Sequence, residues 1–131
     1  MAFFAGKQAT QTGLGLEQHI MFDTIKLNVG NGYRPVHSIF IAPRAGVYLF
    51  SATLMTDSSP VEIHAAITVN GVQLTRLLGH TISGRHGQTS HTVIVHLQAD
   101  DEVCVRNIDI ESRVIYGHLY SSFSGVLLFD M

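Results

Sequence analysis

Apolar and polar residues alternate along this chain with a period of two, and this periodicity restricts the fold more than any other feature. From Val61 to Val69, every odd-numbered residue is apolar. Such alternation places the apolar side chains on one face of a β-strand. Asn70-Gly71 follows directly, before a second run from Val72 to Arg76, and Asn-Gly between two such runs predicts a β-hairpin. No segment reads as an amphipathic helix, so the sequence predicts an all-β protein.

Two further regions refine this prediction. Val93, Val95 and Leu97 give another buried face, and Asp100-Asp101-Glu102 predicts a tight turn before the next strand. The segment Gly46–Met55 differs, because Val47-Tyr48-Leu49-Phe50 is apolar on both faces. We expect this strand to be covered on both sides, by the core and by a neighbouring sheet or subunit. Gly46 is expected either at positive φ or against another backbone.

Polar or irregular segments separate the strands. Residues 56–60, 83–88 and 112–118 are predicted to be exposed loops. Many short strands with glycine-rich turns are typical of a β-sandwich. We expect one domain over residues 1–131, long enough to bury its own core.

The charge of the chain excludes some partners. The formal net charge is -2 and no run of basic residues occurs, so we expect neither nucleic-acid binding nor attraction to an anionic membrane. Charged residues make up 14% of the chain, against about 25% in an average domain. This deficit is explained either by surface buried in an oligomer or by Ser, Thr, Asn, Gln and His supplying the solubility.

A spaced set of residues resembles a known signature, that of the globular head of complement component 1q and its relatives. The set consists of Phe22, Asn28, Tyr33, Phe40, Gly46, Tyr48 and Phe50. Ala2–Ala5 is similar to the family's first strand, Val95-His96-Leu97 to an inner strand and Ser122–Leu128 to the closing strand. Ala52 stands where the family has an aromatic residue, and Asp100 where it usually has Gly.

The resemblance implies a ten-stranded jelly-roll β-sandwich shared with tumour-necrosis-factor-like cytokines, assembled as a homotrimer. It also implies a function. Soluble relatives, notably the invertebrate sets, act in innate immunity as lectin-like proteins that bind microbial carbohydrates or anionic components. Other relatives are cytokine-like or hormone-like ligands of a protein receptor, and a purely structural trimer is the third alternative. No collagen-like Gly-x-y tract precedes the head in this sequence.

Enzyme chemistry has little support in the sequence. Gly-x-Ser-x-Gly, His-Glu-x-x-His and Cys-x-x-Cys are all absent. Cys104 lies between Val103 and Val105 in a predicted strand, so we expect a packed, inert thiol. The eight His residues match no ligand spacing, and solvent-facing roles are favoured for them. We therefore predict that the protein is not an enzyme.

Five loop residues are the candidates for ligand binding. They are Asp57, Arg85, His86, Arg113 and Tyr116, which combine predicted loop positions with charged, hydrogen-bonding or stacking side chains. No cofactor is expected to be required. Several relatives bind calcium, and Asp57 lies near the position of a family calcium ligand, although an ordinary turn residue is the alternative.

The remaining aromatic residues are expected to have structural roles, and the protein is expected to be extracellular. We expect the aromatic members of the signature, together with Phe123 and Phe129, to pack in the core. Met1–Ala5 does not have the pattern of a signal peptide. The resemblance implies a secreted protein whose signal peptide is not part of this sequence, and no stretch is long enough to insert into a membrane.

Overall fold

The computed structural model describes residues 1–58, 62–82 and 84–131. Ser59, Pro60 and Ser83 of the predicted loops, and Val61 of the predicted strand, lie outside the described residues. The described part of the chain forms twelve β-strands and no helix: β1 (Ala2–Lys7), β2 (Gln11–Leu14), β3 (Thr24–Val29), β4 (Tyr33–Arg34), β5 (Ile39–Ile41), β6 (Gly46–Thr56), β7 (Glu62–Val69), β8 (Val72–His80), β9 (Gln88–Leu97), β10 (Glu102–Asn107), β11 (Arg113–Tyr116) and β12 (Ser121–Asp130).

The strands form two antiparallel sheets that face each other. Six strands of the seven-stranded sheet follow the order β2-β11-β6-β12-β1-β3. The seventh strand, β9, lies off this path and pairs with β6 along residues 46–55. The five-stranded sheet has the order β4-β5-β10-β7-β8. The predicted all-β jelly roll is therefore confirmed. It divides into twelve strands, of which β2, β4, β5 and β11 have four residues or fewer. None of the described residues belongs to a helix of the length and apolar character needed to cross a bilayer.

Strand β6 runs through the middle of the larger sheet. Its even-numbered residues, from Gly46 to Thr56, are all buried, and its odd-numbered residues are half-buried. The expectation that the core covers one face of this strand is confirmed, and cover for the other face by a second subunit stays a prediction. Gly46 does not have a positive φ. A Cβ there would lie 2.7 Å from the carbonyl oxygen of Phe129, so close contact with another backbone explains this glycine.

Aromatic side chains fill the space between the sheets. The ring of Phe3 stacks on Tyr33 at 4.8 Å and on Phe40 at 5.2 Å, and meets Phe123 edge-on at 5.0 Å. All the aromatic residues predicted for the core are buried except Phe129, for which the prediction was wrong: its side chain is 57% exposed. The register of β12 against β6 shifts between Leu127 and Phe129, so the alternation that buries Phe123 does not continue to Phe129.

The spacing of Phe22, Asn28 and Tyr33 has a structural reason. The side-chain amide of Asn28 donates to the carbonyl oxygen of Tyr33 at 3.0 Å, and its Oδ1 accepts from the Tyr33 N–H at 3.1 Å. The Tyr33 hydroxyl then donates to the carbonyl oxygen of Phe22 at 2.8 Å. These bonds join the loop after β3 to the start of the smaller sheet and satisfy groups that burial would otherwise leave unpaired.

Two predicted turns are confirmed. Asn70 (φ 49°) and Gly71 (φ 82°) join β7 to β8 as a two-residue hairpin. In the acidic turn, Asp101 accepts from the Gln98 N–H at 2.8 Å and from the Asn70 side chain at 3.0 Å. The acidic cluster is therefore part of the framework, as expected.

Candidate functional site

The segment that carries Arg113 and Tyr116 was predicted to be a loop, and this prediction was wrong. Arg113–Tyr116 forms strand β11, which pairs with β2 on one side and with the end of β6 on the other. Ile115 is fully buried between them. Tyr116 pairs with Met55, so its ring lies on the outward face of the seven-stranded sheet, held by a strand rather than by a mobile loop.

Tyr116 is the centre of an exposed group of rings. The ring centroid of His86 lies 4.3 Å from that of Tyr116, and those of His118 and Tyr120 lie 5.0 Å and 6.0 Å from it. Tyr116 is half-buried, and the other three are exposed. We call His86, Tyr116, His118 and Tyr120 the aromatic end cluster. Such rings offer flat apolar faces together with N–H and O–H groups at their edges.

His86 is fixed by the end of β6. Its Nδ1 lies 2.7 Å from the carbonyl oxygen of Thr56, so this nitrogen carries the proton and donates it. The adjacent Gly87 N–H donates to the Thr56 hydroxyl at 2.6 Å, and Thr56 N–H donates back to the Gly87 carbonyl at 2.8 Å. In the neutral ring, Nε2 therefore remains as an acceptor for a ligand hydroxyl.

The turn that carries His118 and Tyr120 is tied to the end of β1. His118 N–H donates to the carbonyl oxygen of Gln8 at 2.9 Å, and Leu119 N–H donates to the carbonyl oxygen of Lys7 at 2.8 Å. His118 (φ 55°) and Leu119 (φ 65°) both adopt the left-handed region, which is costly for residues with a Cβ. The backbone hydrogen bonds hold this unfavourable conformation, so the rings have a defined position.

The residue of β1 that accepts the hydrogen bond from Leu119 is a buried lysine. Lys7 is 1% exposed, and its Nζ donates to Gln11 at 2.8 Å and to the carbonyl oxygen of Met21 at 2.6 Å. Burial, partly offset by the negative charge of Asp23, lowers the pKa of Lys7 to about 8. Lys7 thus joins β1 to β2 and to the chain segment before β3.

The five predicted ligand residues do not all meet. His86 and Tyr116 are in contact, and Arg85 lies beside them in the same loop, where its carbonyl oxygen accepts from Thr81 at 2.6 Å. Asp57 follows Thr56, and the neighbouring Ser58 carbonyl accepts from Gly84 N–H at 2.9 Å, so this loop borders the His86 loop.

Arg113 lies apart from these residues, and two cluster members were missed. Its guanidinium donates to the carbonyl oxygens of Glu111 at 3.0 Å and Glu62 at 3.4 Å, away from the cluster. His118 and Tyr120 were not among the candidates. The signal that could have identified them is a His and a Tyr in one short turn between two strands.

The groups around Asp57 determine whether a metal ion could bind there. Across residues 1–58, 62–82 and 84–131, no three His, Cys, Asp or Glu side chains are arranged to hold a metal ion. A calcium ion at Asp57 would draw further ligands from main-chain oxygens, and those of Thr56 and Ser58 each accept one hydrogen bond and keep a second lone pair. Calcium binding at Asp57 stays a prediction. No cavity opens among the described residues.

A second candidate surface covers the outward face of the seven-stranded sheet. Cross-strand pairing aligns Val29, Ala2, Val126, Leu49 and Ile94 in one row. Leu27 and Phe4 lie in the next row. We call these seven residues the apolar face, of which Val29 (54%), Leu27 (47%), Phe4 (44%) and Ile94 (65%) are widely exposed.

The central strands around the apolar face present no Asp, Glu, Lys or Arg on their outward side. The outward residues of β6 and β9, from Val47 to Met55 and from Gln88 to His96, include no Asp, Glu, Lys or Arg. On β12 and β1, the outward residues next to the apolar face are Ser122, Ser124 and Gly6, which are also uncharged. Leu49 and Met55 are about 20 Å apart on an extended strand, so the apolar face and the aromatic end cluster occupy opposite ends of one sheet.

Comparisons with known proteins agree with this architecture. A family profile described as the C1q domain matches residues 2–128. Complement C1q tumor necrosis factor-related protein 3 of Homo sapiens, and that of Mus musculus, are each 26% identical over 113 residues. That stretch is 85% of this chain but 45% of each relative, so the chain spans less than half the length of these curated relatives.

Solved structures show the same fold. The globular domain of the zebrafish complement 1qA protein has a TM-score of 0.81 at 15% identity, covering 99% of this chain and 98% of that chain. Eiger TNF from S. frugiperda has a TM-score of 0.79 at 15% identity, covering 100% of this chain and 94% of that chain. Likeness at this level of identity concerns the fold alone.

Proposed function

The chain belongs to the C1q domain family, and on this basis we propose that it is a non-enzymatic, extracellular recognition module that works as a homotrimer. Its proposed ligands are microbial surface carbohydrates or other anionic microbial components. The single observation that carries this proposal is the aromatic end cluster, four rings held on ordered backbone at one exposed end of the sandwich.

The apolar face supports self-association. Five of its seven residues are exposed in the single chain, Ala2 and Leu49 being half-buried, and no charged group would have to be desolvated in the central strands. A contiguous apolar patch of this kind favours a protein partner over water. Closed cyclic symmetry would bury it in every subunit without forming fibres, and family membership favours three copies.

The aromatic end cluster is suited to sugars. An aromatic face stacks on the C–H groups of a pyranose ring, while the Tyr120 hydroxyl and the free nitrogen of His86 can bond its hydroxyls. Arg85, in the loop that carries His86, supplies a positive charge for phosphate or carboxylate groups. A shallow surface of this type binds one sugar weakly, with a dissociation constant of about 1 mM. Three copies on one trimer would raise the avidity.

A receptor-binding role is the second candidate. It is favoured by the curated relatives, which are C1q/tumour-necrosis-factor-related proteins. Exposed Tyr and Arg side chains are also the residues that dominate protein–protein contacts, so Tyr120 and Arg85 would suit a protein receptor equally well. A purely structural trimer would use the apolar face and leave the aromatic end cluster without a ligand.

One experiment separates these functions. The purified protein is applied to an array of glycans, lipopolysaccharide and lipoteichoic acid, with calcium and with EDTA, and in parallel to cells that display surface proteins. Binding to the array supports microbial recognition. Saturable binding to one cell-surface protein, with an unreactive array, supports the receptor ligand. Loss of array binding in EDTA would support the calcium prediction at Asp57.

A further inference from the structure

His64 lies between two carboxylates on the outward face of the five-stranded sheet. Its Nε2 is 2.9 Å from Oε2 of Glu62, and its Nδ1 is 3.2 Å from Oδ2 of Asp109. The His64 side chain is 27% exposed, so water competes for it only in part. Glu62 belongs to the same strand, whereas Asp109 belongs to the connection between β10 and β11.

Both contacts can be hydrogen bonds only when the imidazole is charged. A neutral imidazole carries one N–H and can donate to one carboxylate, while its other nitrogen turns a lone pair toward the second. The imidazolium ion donates to both, in two charge-assisted hydrogen bonds. We propose that His64 is a proton-operated clamp, which fastens the connection at residues 108–112 to strand β7 when it is protonated and loosens it when it is neutral.

The connection at residues 108–112 has an unfavourable backbone conformation. Asp109 (φ 66°) and Ser112 (φ 60°) adopt the left-handed region, which disfavours residues with a Cβ. Ile108 N–H donates to the carbonyl oxygen of His64 at 2.8 Å, so backbone and side chain of the same residue hold the connection. Beyond Ser112 the chain enters β11, and the clamp therefore acts on the segment that leads to Tyr116.

The charges that face His64 come from every neighbouring element. Glu62 on β7 and Asp109 on the connection are negative. On β8, Leu78 is the partner of His64 and His80 is the partner of Glu62. Arg113 on β11 donates to the carbonyl oxygen of Glu62. Arg106 on β10 and Arg76 on β8 are the partners of Ala66, the next residue on the same face of β7, so permanent positive charges lie on three of the neighbouring strands.

The state of Glu62 agrees with the clamp. The hydrogen bond from His64 is the main reason that the pKa of the Glu62 carboxyl lies below its usual range, and the charges of His64, His80 and Arg113 act in the same direction. Two charge-assisted hydrogen bonds hold the connection more tightly than one bond from a neutral ring, so we expect the clamp to be stronger at pH 5.5 than at pH 8.

The test is amide hydrogen exchange on the intact protein at pH 8 and pH 5.5, with rates corrected for the intrinsic effect of pH. For Ile108, Ile110 and Ser112 we expect exchange to be about threefold slower, or more, at the lower pH. His64→Gln should abolish this difference, because Gln cannot become charged. Asp109→Asn should reduce it, because Asn keeps the shape but removes one carboxylate.

The controls cover folding, other histidines and metal ions. His37→Gln replaces an exposed imidazole that makes no ion pair in the part of the chain that the structure describes, and it should keep the parent's pH effect. All samples contain EDTA, and circular dichroism checks each fold. Equal protection at the two pH values in the parent, or an undiminished pH effect in His64→Gln, would overturn the proposal.

Discussion

The imidazole ring of His86 lies 4.3 Å from the phenol ring of Tyr116, although the two residues belong to strands and loops far apart in the sequence. The contact exists because the Thr56 backbone, at the end of β6, binds His86 on one side and pairs with β11 on the other. Thr56, the last residue of β6, therefore brings together the two chain segments that carry His86 and Tyr116.

The aromatic core should govern stability. Phe50 is fully buried and contacts Phe3, Phe40 and Phe123, so Phe50→Ala should lower the free energy of unfolding by about 3–5 kcal/mol. Val36→Ala, at a residue that is 76% exposed, is the control and should change it by about 0.5 kcal/mol at most. Chemical denaturation measures both. A Phe50→Ala protein as stable as the parent would show that the core is misplaced.

The Asn28 side chain should matter through hydrogen bonds alone. Asn28→Ala removes both bonds to the Tyr33 backbone and should cost about 1–3 kcal/mol of unfolding free energy. Asn28→Asp keeps the acceptor for the Tyr33 N–H but places a carboxylate oxygen where the amide donated to the Tyr33 carbonyl oxygen, so it should also destabilise the fold. If both variants unfold at the parent's denaturant midpoint, the two hydrogen bonds do not stabilise the fold.

The apolar face should determine assembly. Light scattering of the parent should give about three times the 14.3 kDa chain mass. Val126→Asp would place a charge in the middle of the apolar face and should yield monomers. Leu74→Asp adds the same charge at a comparably exposed residue of β8, in the other sheet, and should leave the trimer intact. A parent that remains monomeric at all concentrations would contradict both the assembly and the avidity proposed from it.

Lys7 should make stability depend on alkaline pH. Its folded-state pKa is about 8, below the ordinary value of 10.5, so between these values the unfolded chain binds more protons than the folded chain does. Stability should consequently rise as the pH is raised from about 8 to about 10. Lys7→Met should remove this rise. Burial raises the pKa of Tyr33 to about 12, above the ordinary value of 10.0, so this phenol opposes the rise once the pH reaches about 10, where the unfolded tyrosine ionises and the folded one does not.

Those measurements of Lys7 are best made by urea denaturation at several pH values. Lys26→Met, at an exposed lysine of β3, is the matched control and should keep the parent's pH dependence. A parent whose stability is flat or falls over this range would show that Lys7 keeps its proton in the folded state.

The sequence predicted the strands whose pattern is local. The alternation in β7, β8 and β9 and the Asn70-Gly71 turn need no knowledge of distant partners, and all were correct over the described residues. Strand β11 was missed because its four residues are stabilised by β2 and β6, which lie far away in sequence. Phe129 was misplaced because a register shift is not visible in a hydrophobic pattern.

The candidate site was predictable only in part, for the same reason. His86 and Tyr116 were chosen by residue type, and their contact depends on the path of the chain after Thr56. Arg113 has the same chemistry as Arg85, yet the strand that carries it directs its guanidinium toward Glu62. Which loops converge is decided by sheet topology, and a single sequence does not reveal sheet topology.

Arg85 and Arg113 should differ in their effect on anionic ligands. Arg85→Ala should weaken binding to lipoteichoic acid, and salt should weaken the parent's binding, because exposed charges are screened. Arg113→Ala should have the smaller effect, since its guanidinium is occupied by backbone carbonyl oxygens. Biolayer interferometry at low and high salt compares them. A larger loss in Arg113→Ala would place the anion-binding surface beside Glu62.

The decisive measurement is the binding of the Tyr116→Ala/Tyr120→Ala double variant to the glycan and bacterial-component array, beside the parent and the control Val36→Ala. Each variant must first give the parent's mass in solution and a melting temperature close to that of the parent. We expect the double variant to lose at least about tenfold in binding, or about 1.4 kcal/mol, because it removes two of the four rings from the aromatic end cluster. Binding by the folded, trimeric double variant that equals that of the parent would contradict recognition through this end of the sandwich.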